Sequence, residues 1–233
     1  MFERSDFYPD AMAVRERSLI KNIYLWMTAG LALTGVVSLW MVSNPARVVS
    51  MLQSGMFWAL ILGEFALVFF LSARIMSMSP QAATLSFAAY SILNGITLSG
   101  LFLVYTRASL TSTFFITSAT FAGMSLYAAT TKKDLSGYGH YLIMGLWGII
   151  IASVVNIFMK SPGLYYLVSY AGVLVFCGLT AYDTQMILRM SRTYSGSISG
   201  DDYIRFSVIG ALKLYLDFIN MFIFFLRIFG RRE

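Results

Sequence analysis

The last long apolar run, Ile204 to Phe229, reads IRFSVIGALKLYLDFINMFIFFLRIF and constrains the fold more than any other stretch. A bilayer crossing needs about 20 residues, and this run supplies them. Near its middle stands an aspartate, Asp217. A carboxylate left at that depth costs at least ~2.5–3.5 kcal/mol on insertion scales, so it implies a partner and a purpose. The preceding apolar run, Leu164 to Leu188, carries a second aspartate, Asp183, in GLTAYDTQMI. Any function must account for two carboxylates on consecutive membrane helices.

The rest of the chain supports a membrane reading. Hydrophobic residues make up 58%, mean hydropathy is +0.71 and only 12% of residues are charged, against about 25% in a soluble domain. The net charge of +6 fits basic cytoplasmic loops better than a nucleic-acid surface. Cys177 is the single cysteine and reads as a buried small hydrophobe, with no intramolecular disulfide open to it. His140 is the single histidine, so no Cys/His metal site is expected. Glu3, Asp6, Asp10 and Glu16 crowd the first segment, which argues against a cleavable signal peptide.

Residues 1–23 read as a polar cytoplasmic tail. Seven spans follow, at about 24–43, 56–73, 81–105, 112–129, 141–159, 164–188 and 204–229, with 230–233 as a short carboxy-terminal tail. The separators carry breakers or charges: Asn44-Pro45 with Arg47, Ser79-Pro80, Arg107, Lys132-Lys133-Asp134, and Lys160-Ser161-Pro162-Gly163. Ser79-Pro80 fits a capped helix start. Arg189 to Arg205, rich in Ser and Gly, reads as the only sizeable polar loop. The expectation is an all-α membrane protein, a single seven-helix transmembrane bundle.

With the amino terminus in the cytoplasm, that side gathers Arg4, Arg15, Arg17, Lys21, Arg74, Lys132, Lys133, Arg189, Arg192 and Arg205. The other side has Arg47, Arg107, Lys160, Arg227, Arg231 and Arg232. The imbalance favours a cytoplasmic amino terminus. An even number of crossings, placing both basic ends inside, is the topological alternative.

In the favoured orientation Asp183 and Asp217 both fall in the inner half of the membrane. Carboxyls meeting there resist double ionisation through repulsion and desolvation, and would hold one proton as a unit. Separate aspartates, each with its own donor, are the competing reading. Arg74 closes the second span at the depth of Asp183, placed to pair with a carboxylate or to snorkel to headgroups. Lys213 lies one turn before Asp217 on the same side of the helix, where an ammonium favours the ionised acid or reaches the cytoplasm. Glu64, in LILGEFALVFF, stands near mid-depth. It either lines a pathway, offering with Asp183 and Asp217 hard oxygens to a divalent cation, or packs helices as a protonated acid. Gly95, Gly100, Gly145, Gly148, Gly172 and Gly178 suit close helix approach.

GLTAYDTQMI, LYLDFINMFIFFLRIFG and TTKKDLSGYG together resemble the Bax inhibitor-1 family, also called the transmembrane Bax-inhibitor-motif family, and its bacterial branch most closely. The similarity spans essentially the whole chain. It implies seven helices with the last at the centre, and a pH-sensitive calcium leak in a bacterial inner membrane. It also implies that Asp183 and Asp217 share a proton and that Arg74 latches onto Asp183 to hold the pore shut. Glu64 falls where some members carry an acid. Lys213 departs from the family, which has a small polar residue there, so the pH midpoint does not carry over.

The resemblance leaves calcium as permeant ion and transient ligand of Asp183 and Asp217, with protons as the gating species. No resident cofactor, structural metal or nucleic-acid partner is expected. A non-conducting regulator binding a membrane protease or a cell-death or stress partner is the alternative. Tyr182-Asp183 is similar to the Tyr-Asp pair of intramembrane aspartyl proteases. However, LYLDF lacks their glycine-flanked second aspartate, so no enzyme is expected.

Overall fold

The computed structural model describes residues 7–194 and 200–232 and is built from helices, some of them short 3-10 turns. Arg4 and the Ser-Gly centre of the expected polar loop lie outside the described residues. The chain divides into two compact units: residues up to Leu103 with Ile187–Tyr215, and Val104–Met186 with Leu216 to the chain end.

The first unit begins with α1 (Phe7–Val42), followed by α2 (Pro45–Gln53), α3 (Met56–Arg74) and α4 (Pro80–Leu98). Helix already starts at Phe7, where the polar sequence suggests a tail. The amphipathic α2, absent from the sequence reading, has the start that Asn44-Pro45 encodes: the Asn44 side chain accepts from Ala46 N and Pro45 occupies the first turn. Val48 and Met51 on its inner face are wholly buried. Ser79 caps α4 through a 3.2 Å bond from Ala82 N.

Close approach joins α1 to α4. A Cβ on Gly95 would meet Val37 Cβ at 2.7 Å and the Thr34 carbonyl at 2.8 Å, so only hydrogen fits there. Thr34 Oγ1 lies 2.9 Å from the carbonyl oxygens of Gly30 and Ser91 and 2.7 Å from the hydroxyl of Tyr215. Tyr215 is wholly buried and edge-on to Phe87 and Tyr90. Arg205 Nε donates to the Met78 carbonyl at 2.7 Å, and its guanidinium bonds Asp202 at 2.8 Å.

The second unit holds α5 (Arg107–Thr130), α6 (Gly139–Met159), most of α7 (Pro162–Tyr194) and the later part of α8 (Gly200–Phe229). Helical structure reaches from both sides into the region Arg189–Arg205 that reads as a loop, leaving only 195–199 undescribed. The core is Ile149, Val168, Phe176, Leu179, Met221, Phe224 and Phe225. A Cβ on Gly172 would meet the Phe224 ring at 2.6 Å, and one on Gly178 would meet Leu142 at 2.5 Å. Gly148, expected to do the same, faces open space.

Among the described residues six helices are long and apolar enough to cross a membrane: Arg17–Val42, Met56–Ser77, Pro80–Leu103, Ser136–Met159, Pro162–Thr193 and Gly200–Phe229. The fourth expected span does form a helix, α5, of 24 residues. Ser or Thr at 109, 111–113, 117, 118, 120, 125 and 130 makes it too polar to meet the same criterion. Burial is unequal: 67% of the apolar window of α8 is buried, against 6% for Met56–Ser77 and for Ser136–Met159.

Candidate functional site

Asp183 and Asp217 both belong to the second unit and both are buried, at 8% and 4% exposure. The Tyr165 ring meets Arg227 and the Phe176 ring meets Phe224, so α7 and α8 run antiparallel, side by side. The Phe176 and Phe224 rings fix the register, with centroids 5.9 Å apart. Asp183 stands seven residues after Phe176 and Asp217 seven before Phe224. Seven residues are close to two helical turns, so each aspartate lies on the same stripe as its phenylalanine. Opposite chain directions then bring both acids to one level of the interface.

Residues beside both aspartates also contact α5. Phe218, next to Asp217, packs edge-on to Phe121 at 5.7 Å. Thr184, next to Asp183, has its hydroxyl 3.4 Å from that of Ser125. Phe121 and Ser125 are one turn apart, about 6 Å along the axis. Phe218 also packs edge-on to Phe114 at 5.6 Å, so the neighbours of the two aspartates meet successive turns of α5.

Two residues near Asp183 hold the segment that leads into α6: Tyr182, which the sequence reading named only in its pair with Asp183, and Gln185, which it did not single out. Gln185 Nε2 donates to the Lys133 carbonyl at 2.9 Å, and its Oε1 accepts from Leu135 N at 2.7 Å. The Tyr182 ring lies so near Gly139 that a Cβ there would come within 2.6 Å of it. The same segment is shaped by Asp134, whose Oδ1 accepts from Ser136 N and Oγ at 2.8 and 2.6 Å. A buried glutamine two residues after a buried aspartate was the available signal, since a primary amide in such a place needs both donor and acceptor satisfied.

The other expected site residues lie in the first unit. Glu64, half-buried on α3, accepts a 2.6 Å hydrogen bond from Thr97 Oγ1 of α4. Arg74 ends α3 with its side chain exposed, and its carbonyl accepts from Ser77 Oγ at 2.8 Å. Lys213 is half-buried on α8. Among the described residues no three His, Cys, Asp or Glu side chains gather to hold a metal ion. Glu64 belongs to the first unit, whereas Asp183 and Asp217 belong to the second. His140 is exposed, its ring edge-on to Tyr141.

The family model described as "Inhibitor of apoptosis-promoting Bax1" matches residues 16–233. The chain is 46% identical over 234 residues to the inner membrane protein YbhL of Escherichia coli K12, a match covering 100% of this chain and 99% of that one. It is 43% identical over 230 residues to an uncharacterized protein of Borreliella burgdorferi, covering 96% and 98%. A protein of Deinococcus radiodurans, also uncharacterized, is 38% identical over 217 residues, covering 93% and 92%.

Proposed function

Because the chain belongs to the Bax inhibitor-1 family of membrane proteins, we propose that it is a pH-sensitive calcium leak gated by protonation of Asp183 and Asp217. The supporting observation is the register of α7 against α8, with both carboxyls buried and level. Such a pair holds one proton between two oxygens, and gaining or losing it changes the charge inside the bundle. Arg74 makes and breaks a latch to Asp183, its exposed side chain being free to swing. Glu64 gives the passing cation a further oxygen, and Lys213 tunes the pair from one turn away. Calcium is cargo in transit, and the protein performs no covalent chemistry and carries no resident cofactor.

In this reading α5 completes a set of seven crossings, and the deep burial of α8 reflects a central place in the bundle. The amino terminus faces the cytoplasm and the membrane is a bacterial inner membrane, as the name of the Escherichia coli relative states for that protein. The test is calcium flux in dye-loaded liposomes across a pH series. Wild type should show a pH-dependent leak, whereas Asp183→Asn and Asp217→Asn should each flatten it. Unchanged pH dependence in both variants would defeat the gating mechanism.

The family description names inhibition of another protein, which favours a second reading: a non-conducting regulator of a membrane-protein partner. Absence of flux at every pH, together with a stoichiometric partner recovered from native membranes, would select it.

A further inference from the structure

At the end of the second unit where α7 begins and α8 stops, basic and aromatic side chains are built into a fixed cluster. The chain after α8 turns back along the start of α5. Tyr105 and Arg232 form an antiparallel bridge, Thr106 N donates to the Arg231 carbonyl at 3.1 Å, and Arg231 N donates to Ser109 Oγ at 2.9 Å. This holds Arg232 against Tyr165. Its guanidinium donates to the Tyr165 hydroxyl at 3.3 Å and its Cζ lies 5.7 Å from the ring centre. Arg227 comes to the same ring, 5.5 Å from its centre and 5.2 Å from that of Phe224. Tyr105 and Tyr165 hydroxyls are 3.4 Å apart.

Two guanidinium groups on one tyrosine repel each other, and among the described residues no carboxylate is paired with either. Exposed Arg107 and Lys160 sit at the ends of α5 and α6. Asp217 is ten residues from Arg227, about 15 Å of helix. A guanidinium lying on an aromatic face keeps its in-plane N–H groups available, and two such forks suit a phosphate. All these residues flank the ends of apolar spans, where tyrosine belongs to the interfacial belt and headgroup phosphates are the abundant anion.

We propose that Arg227, Arg232 and Tyr165 form a binding site for the phosphate of an anionic phospholipid, flanked by Arg107 and Lys160. The site is independent of the leak, since it uses none of the residues assigned to gating. Its occupant would screen the two arginines from each other and tie the chain end to the bilayer surface.

The experiment is native mass spectrometry of the full chain in a neutral detergent, with phosphatidylglycerol or phosphatidylcholine added at equal concentration. Wild type should retain phosphatidylglycerol and release phosphatidylcholine. Each arginine near an anionic surface contributes about five-fold in affinity, so Arg227→Gln with Arg232→Gln should weaken phosphatidylglycerol roughly 25-fold. If the double variant does not fold, Arg232→Gln alone, at the exposed chain end, should weaken it about five-fold. Equal retention of both lipids, or wild-type retention by a folded variant, overturns the proposal. Full displacement by inorganic phosphate at the same concentration would assign the site to a free anion and overturn the lipid reading.

Discussion

Phe176 and Phe224 meet ring to ring two turns from Asp183 and Asp217, so one aromatic contact sets the level of both acids. With that register, cysteines at 183 and 217 are within reach of a short thiol cross-linker. The experiment needs Cys177, the only native cysteine, replaced by alanine. Asp183→Cys with Asp217→Cys should cross-link efficiently. Leu174→Cys, exposed on the same helix, with Asp217→Cys should not.

Adding one methyl group at Gly172 should loosen the same interface. Its Cβ would sit 2.6 Å from the Phe224 ring, which is itself held against Phe176. Overpacking of this kind costs about 1–3 kcal/mol. Gly172→Ala should lower the melting temperature in detergent, while Gly148→Ala, with nothing within 4 Å, should leave it unchanged.

Removing the amide of Gln185 should free the segment before α6. Its two bonds to the Lys133 carbonyl and Leu135 N each contribute about 0.5–1.5 kcal/mol. Gln185→Ala should therefore cost roughly 1–3 kcal/mol and raise hydrogen exchange at Leu135 well above wild type. Equal protection at that amide would show that the clamp is not formed.

The Thr34–Tyr215 contact lends itself to a double-mutant cycle. Tyr215→Phe removes a hydroxyl 2.7 Å from Thr34 Oγ1 inside the first unit and should cost about 0.5–1.5 kcal/mol. Thr34→Val with Tyr215→Phe should cost less than the sum of the single changes, because the same bond is lost once.

Glu64→Gln separates packing from conduction. A glutamine carbonyl accepts from Thr97 as the carboxylate does, so stability should stay within about 0.5 kcal/mol of wild type. Calcium flux should fall if the charge serves passage and stay constant if the residue only joins α3 to α4.

What the sequence reveals here follows from which signals are local. Ser79-Pro80 marks a helix start that the structure forms, because a cap needs only the residues beside it. The two aspartates were visible because acid inside an apolar run is rare. The amphipathic α2 was hidden by its shortness, and the helix beginning at Phe7 by its polar composition. Gln185 was missed because its partners, Lys133 and Leu135, lie some fifty residues away and are backbone groups, on which side-chain chemistry has no bearing. The level of Asp183 against Asp217 needed the phenylalanine contact, a tertiary fact that no spacing encodes.

The serines and threonines of α5 have a bearing on how the protein is made. Thr117, Ser118, Thr120 and Thr130 turn their hydroxyls onto carbonyls one turn back, at 2.8 to 2.9 Å, carrying acceptors of their own. Even so, the translocation machinery would meet a segment less apolar than the other long helices. Its membrane entry then depends on companions such as the Phe218-bearing helix, synthesised only near the end of translation. Ribosome-bound chains halted before Phe218 should accordingly leave this segment open to water-soluble labelling reagents, and completion of the last helix should shut them out.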